Sequence, residues 1–220
     1  MADFLALFDV DGTLVDSQAV IVDTMTAAFK KAQVPPPERH AVLHLVGLSL
    51  PRIIATLAEG QSEATVNDII AHYRLGFANA MEEGGEPPLY PGVSDGLQRL
   101  AQGGVQLGLA TGKSKRGLDR LVDAYGWRDM FATMQFADFH PSKPHPSMVR
   151  RALLETASEE DRCVVIGDTT FDIEMAKAAD VAAIGVTWGY HPAAALQGAG
   201  AVHIAETFDA LVDHVLEMAA

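Results

Sequence analysis

Two carboxylates close the first apolar run of the chain. FLALF at 4–8 leads straight into Asp9, Val10, Asp11 and Gly12. In an extended backbone residues i and i+2 face the same way, so Asp9 and Asp11 can address one site where a strand ends. Gly12 allows the chain to turn tightly there and to approach a ligand closely. Spacing excludes a calcium loop: counted from Asp9, the glycine falls at the fourth position rather than the sixth, and Val20 stands where the loop's last glutamate belongs.

Other apolar runs end in the same manner. VQLGLAT (105–111) finishes on Thr111, followed by Gly112, Lys113 and Ser114, where the N–H groups of a following helix could receive an anion. CVVIGD (163–168) finishes on Asp168, with Asp172 shortly after, and between these runs SKPHP holds Lys143 next to two stiffening prolines. Taken singly, Thr111 is a strand-end hydroxyl, Lys143 a solvated charge, and Asp168 and Asp172 a helix cap and an exposed helix-start acid. Together they form an acidic pair, a hydroxyl, an ammonium and a second acidic pair. Carboxylates so grouped repel one another unless a hard divalent cation sits among them, and oxygen donors with room for water suit Mg²⁺. A lysine and a threonine beside that metal make sense if a phosphoryl group shares the site. TGKS at 111–114 resembles the tail of a nucleotide-binding P-loop, but the first glycine of that motif would have to stand at Leu107.

The elements that must position these groups are legible in the apolar pattern. FLALF, VQLGLAT, CVVIGD and VAAIGVT (181–187) read as strands buried on both faces, hence parallel. Helical spacing separates them: Leu118, Leu121, Val122 and Tyr125; Met148, Ala152 and Leu153; Ile173, Ala176 and Lys177. Strand alternating with helix predicts an α/β fold, a doubly wound Rossmann-like parallel sheet, whose ligands bind outside the carboxyl ends of the strands. One stretch breaks the alternation. After the first strand only helical spacing follows (Ile21, Met25, Ala28, Phe29; then Val66, Ile69, Ile70, Tyr73, Phe77), punctuated by PPP at 35–37 and GGEPPLYPG at 84–92. No compact loop is that long, so residues 17–85 are expected to form an inserted all-helical domain on a core of 1–16 and 86–220, with linkers near 14–18 and 84–90.

Composition narrows the function classes. The chain has 220 residues, 49% of them hydrophobic, enough for one large core and a small second one. A net charge of -13 argues against nucleic acid as a partner, because no basic run could release its counterions. The single cysteine, Cys163, precludes an intrachain disulfide and reads as core packing. Asp3 and Asp9 flank a very short apolar run without a basic leader, and no segment approaches a membrane span, so a cytoplasmic protein is expected. His40 and His44 lack the intervening glutamate of a zinc motif and read as a packed or surface pair. Oligomeric state leaves no signature.

DVDGTLVDS, ATGKS, KPHPSMVRRAL and GDTTFDIEMAKAA together resemble the four motifs of the haloacid dehalogenase superfamily, in its phosphoglycolate-phosphatase-like branch. The resemblance implies a Rossmann-like core with a helical cap after the first strand. It implies a Mg²⁺-dependent phosphatase acting on a small phosphorylated metabolite through an aspartyl-phosphate, with Asp9 as nucleophile and Asp11 as the acid and then base. Thr111 and Lys143 would hold the phosphoryl oxygens, and Asp9, the Asp11 carbonyl and Asp168 would bind Mg²⁺ with Asp172 orienting a ligand. A β-phosphoglucomutase-like sugar phosphomutase shares the fold, as does a metal-free haloacid dehalogenase, against which Asp11 and the Asp168/Asp172 pair argue. A phosphate-binding scaffold without turnover would not need both Asp9 and Asp11. In similar proteins the helix after the fourth motif ends in alanine-glycine, whereas here the sequence reads Ala179-Asp180. Substrate choice would lie in the cap. There Gly47 either admits the backbone to the substrate or ends a helix, and Arg52 or Arg74 either meets a second anionic group or is solvated.

Overall fold

The computed structural model describes residues 4–220; Asp3 and the start of the expected core segment lie outside the described residues. Among the described residues six strands and ten α-helices follow in the order β1 (Leu5–Phe8), α1 (Gln18–Lys31), α2 (Arg39–Leu45), α3 (Leu50–Leu57), α4 (Glu63–Gly84), α5 (Val93–Gln102), β2 (Gln106–Thr111), α6 (Lys115–Ala124), β3 (Thr133–Phe136), α7 (Ser147–Thr156), β4 (Cys163–Gly167), α8 (Thr170–Lys177), β5 (Ala182–Val186), α9 (Ala193–Ala199), β6 (His203–Ala205) and α10 (Phe208–Ala219). The strands form one parallel sheet in the order β3-β2-β1-β4-β5-β6.

Alternation along FLALF explains why β1 lies at the centre. Ala6 and Phe8 join Val93, Leu97, Leu118, Leu121, Phe208 and Leu211 of α5, α6 and α10 on one face of the sheet. Leu5 and Leu7 join Met148, Val149, Ile173 and Leu196 of α7, α8 and α9 on the other. A strand apolar at every position can be satisfied only between two helical layers. From β1 the chain winds outward through β2 to β3, then returns to β4 on the opposite side, so the strand order reverses between β1 and β4. A crevice opens at such a reversal.

The helices α1 to α4 pack on one another around Ile21, Met25, Phe29, Val42, Ile54 and Ile69. Ser62 caps α4 by accepting the Thr65 N–H at 3.2 Å. The segments entering and leaving these helices run side by side: the Asp16 N–H donates to the Pro88 carbonyl at 2.8 Å, the Tyr90 N–H to the Leu14 carbonyl at 3.0 Å, and Val15 bridges Leu89. Among the described residues no helix is long and apolar enough to cross a membrane.

Candidate active site

Asp9 continues the β1 ladder, its N–H donating to the Ile166 carbonyl at 2.9 Å, and its carboxylate is buried. Around it stand the buried carboxylates of Asp168, just past β4, and Asp172, in the first turn of α8; one oxygen from each of the three lies within 4.8 Å of the others. Among the described residues one buried cation answers two of them. Lys143 Nζ is 2.6 Å from Asp172 Oδ1 and 2.9 Å from Asp9 Oδ1. The second contact has ion-pair distance without hydrogen-bond alignment, and Asp9 Oδ2 has no donor at all.

The neighbours are held more completely. Asp168 Oδ1 accepts from Thr13 Oγ1 and Oδ2 from the Tyr190 N–H, both at 2.8 Å. Asp172 Oδ2 accepts from the Thr169 N–H at 3.1 Å and from Thr169 Oγ1 at 2.7 Å, so this acid closes the first turn of α8 from inside the protein rather than standing exposed at a helix start. The Asp11 carboxylate points away from this cluster: Oδ1 accepts from Ser17 Oγ at 2.5 Å and lies 2.9 Å from Lys113 Nζ. Asp9 and Asp11 nonetheless line the same cavity, of about 250 Å³, together with Thr111, Gly112, Lys113 and Gly47.

The charge balance is strained toward protonation. Burial pushes the Asp9 carboxyl up to about 7, Lys143 opposing the rise while Asp172 and Asp11 add to it. Burial, followed by Asp9 and Asp172, raises Asp168 well above the usual carboxylate range. Lys143 loses stability as a cation through burial, but Asp172 and Asp9 more than offset this and raise it above the ordinary lysine value. Three buried carboxylates around one ammonium, with an orphaned oxygen on the foremost, fit a hard divalent cation bound by oxygen alone.

Two glycines shape the crevice. Gly12 has φ +85°, and a Cβ there would lie 2.2 Å from Asp168 Oδ2, so only glycine lets the turn after β1 fold against the carboxylate. Gly112 admits the opposite wall: a Cβ would meet the Leu48 carbonyl oxygen at 2.5 Å and that of Gly47 at 2.8 Å. The Ser49 N–H, on the same loop, donates to Ser142 Oγ at 2.9 Å.

Some expectations need correction. Arg52 is exposed and does not line the cavity, because α3 turns Ile53 inward and Arg52 to solvent; Arg74, Arg116 and Arg120 line it instead. The start of α6 offers fewer free donors than TGKS suggests, since the N–H groups of Lys113, Lys115 and Gly117 already bond Thr111 Oγ1, Asp138 Oδ2 and Ser114 Oγ. Sequence reasoning also missed the Lys113 ammonium on Asp11, although its neighbours had been singled out. Ser17 and Tyr190, whose hydroxyls lie 3.3 Å apart, carried no signal, since only the folded loops bring position 190 against position 17.

The family model for haloacid dehalogenase-like hydrolase matches residues 6–186. A protein from Dickeya dadantii named "Probable phosphatase IndB" is 34% identical over 211 residues, 94% of this chain and 91% of the relative. A phosphoglycolate phosphatase from Pseudomonas putida is 34% identical over 194 residues, 85% of this chain and 70% of the relative. Among solved structures, a hydrolase from Pseudomonas syringae superposes with a TM-score of 0.87 at 21% identity, covering 99% of this chain and 100% of that one. A haloacid dehalogenase-like hydrolase from Streptococcus pneumoniae gives 0.83 at 24%, covering 97% and 98%. With the motifs in order, the carboxylates gathered at the sheet's reversal and the family model spanning both helical layers, the chain belongs to the haloacid dehalogenase-like hydrolase family.

Proposed function

We propose that the protein is a Mg²⁺-dependent phosphatase that hydrolyses a small phosphate monoester through an aspartyl-phosphate on Asp9. The observation that carries this reading is Asp9 itself: a buried carboxylate facing the cavity, beside Lys143 and two further carboxylates, with one oxygen that no donor claims. Asp9 Oδ2 attacks phosphorus while the bond from phosphorus to the leaving oxygen breaks, and Asp11 gives that oxygen its proton. Asp11 then takes a proton from a water molecule that attacks the aspartyl-phosphate, and the Asp9–phosphorus bond breaks to release phosphate. Ser17 and Lys113 hold Asp11 for both transfers, Thr111 on the cavity wall receives a phosphoryl oxygen, and Lys143, buried between Asp9 and Asp172, offsets charge on the nucleophile and the phosphoryl group next to it. Asp9, Asp168 and the Asp11 backbone carbonyl would hold the metal, with Asp172, both of whose oxygens are engaged, orienting Lys143 and the surrounding shell. Bound Mg²⁺ supplies positive charge against the phosphoryl oxygens and the nucleophile.

The cap over this chemistry is residues 17–85, hinged at the paired linkers, and its closure shields the intermediate from bulk water. The relatives' names support phosphoglycolate as the first ester to test. A sugar phosphomutase fits less well, because the cap side of the cavity is largely aliphatic. A metal-free dehalogenase leaves Asp168 and Asp172 without a task. The test is phosphate release from a panel of monoesters with Mg²⁺ and after EDTA, with trapping of labelled phosphoryl groups. Release that needs the metal, with label on Asp9, is expected; full activity after exhaustive chelation, or label on another residue, would overturn the reading.

A further inference from the structure

The cavity has two unlike ends. One carries Asp9, Asp11, Thr111 and Lys113. The part of its wall that comes from the helical layer is mostly apolar, with Ile21, Met25, Val42, Leu50, Ile53 and Phe77 beside Tyr73 and Arg74. An anionic substrate body would need a cation there, and of the four cations on the lining two are committed. Lys113 is paired with Asp11 at 2.9 Å and Arg120 with Glu86. Both also flank the Phe77 ring, at 5.3 and 5.8 Å from its centroid. Arg74 and Arg116 have no ion-pair partner among the described residues, but both are exposed, so an anion they met would sit at the solvent edge of the cavity and not among its aliphatic side chains.

A two-carbon acid would bring its own carboxylate within a few bonds of Asp9 and Asp11 and press it on aliphatic side chains that cannot solvate it. It would also leave much of the cavity unfilled. A ring-sized apolar body meets the opposite fate: it displaces water from the walls and lies against Phe77, whose ring is already fixed by its two cations. We propose, resting on the phosphatase reading, that the ester cleaved here carries an apolar body about the size of a ring, aliphatic or aromatic, and no carboxylate near the phosphoryl group.

Two measurements separate this proposal from the reading beneath it. Calorimetric titration with benzylphosphonate and phosphonoacetate reports which body the cavity accepts, and kcat/KM for benzyl phosphate and phosphoglycolate with Mg²⁺ reports turnover. Benzylphosphonate should bind more tightly and benzyl phosphate should be the better substrate, each by roughly 10–100-fold, the range that apolar complementarity supplies in a pocket. Leu50→Arg places a cation in the wall and should move the substrate ratio toward phosphoglycolate by about tenfold. Tighter binding of phosphonoacetate with faster cleavage of phosphoglycolate overturns the proposal and leaves the phosphatase reading standing. Preferred binding of benzylphosphonate with no phosphate released from either ester overturns the phosphatase reading and leaves the ligand class standing. The comparison on the unmodified protein decides both, whether or not the Leu50→Arg variant folds.

Discussion

At the carboxyl ends of β1 and β4 the side chains are polar, buried and interlocked, whereas across the cavity α1, α3 and α4 present mostly apolar side chains, with Tyr73 and Arg74 the exceptions. In the first wall Lys143 answers two carboxylates, Thr13 and Tyr190 answer a third, and Ser17 and Lys113 answer Asp11, so no group there can change without stranding another. For the aliphatic side chains of the second wall only volume and shape are at stake, and substitutions of similar size are absorbed by repacking. On the proposed function, the difference teaches where each property would reside: the reaction in the groups at the sheet, the choice of ester in the helices.

Asp9→Asn should break the first wall most severely. The amide preserves shape but cannot attack phosphorus, so kcat should fall by about 10⁴-fold or more while circular dichroism shows an unchanged fold. A loss of similar size from a conservative change in the aliphatic wall, such as Met25→Leu, would erase the contrast.

Removing the proposed metal tests the same wall through stability. The folded protein holds on Asp9 a proton that an unfolded chain releases near 4. That contribution is complete below the unfolded value and is lost as pH rises through about 7. The loss is on the order of 4 kcal/mol at most, and Asp168 adds to it in the same direction. Melting temperatures of EDTA-treated protein should therefore fall between pH 5 and pH 8, and Mg²⁺ should flatten the decline. Equal melting temperatures across that interval would show that the carboxylates are not in tension.

Gly112→Ala sharpens the comparison where the walls touch. The added carbon meets backbone on the 47–48 loop, which must withdraw, so kcat/KM should drop by about 10–100-fold with a small change in melting temperature. Steady-state kinetics beside a thermal melt would separate the two. Asp180→Gly should have the smallest effect and touch neither wall. Asp180 sits at φ +59° just past α8, the conformation glycine adopts without strain, so the replacement should stabilise the fold by about 0.5 kcal/mol in chemical denaturation without altering activity.

The sequence revealed those parts whose physics is local. The four central strands were legible because burial on both faces leaves an unbroken apolar run. β3 and β6 escaped because edge strands are short and half exposed: TMQF alternates buried with partly exposed positions, and HIA has one fully buried residue. α5, α9 and α10 were not singled out, though α10 carries Leu211, Val212 and Val215 in a helical stripe. In the candidate site, Asp9, Thr111 and Asp168 drew attention through their places at strand ends, Lys143 through the prolines beside it and Asp172 through its spacing from Asp168. Their companions Ser17, Thr13 and Tyr190 were not, since what selects them is the path of loops. Arg52 was chosen for its charge, and helix phase, which decides what faces the cavity, turned it away.

The bridge between Val15 and Leu89 has a consequence for how such proteins diverge. Because the outgoing and returning strands are hydrogen-bonded to each other, the sheet sees the helical excursion as a closed loop whose ends already meet. Loop-closure entropy grows only with the logarithm of length, about 0.6 kcal/mol for each doubling, so an excursion of different size leaves the sheet's stability almost untouched. A gene segment between these two points could be exchanged, shortened or rebuilt with the catalytic layer left as it is, and the fold can acquire new selectivity by substitution of a single cassette.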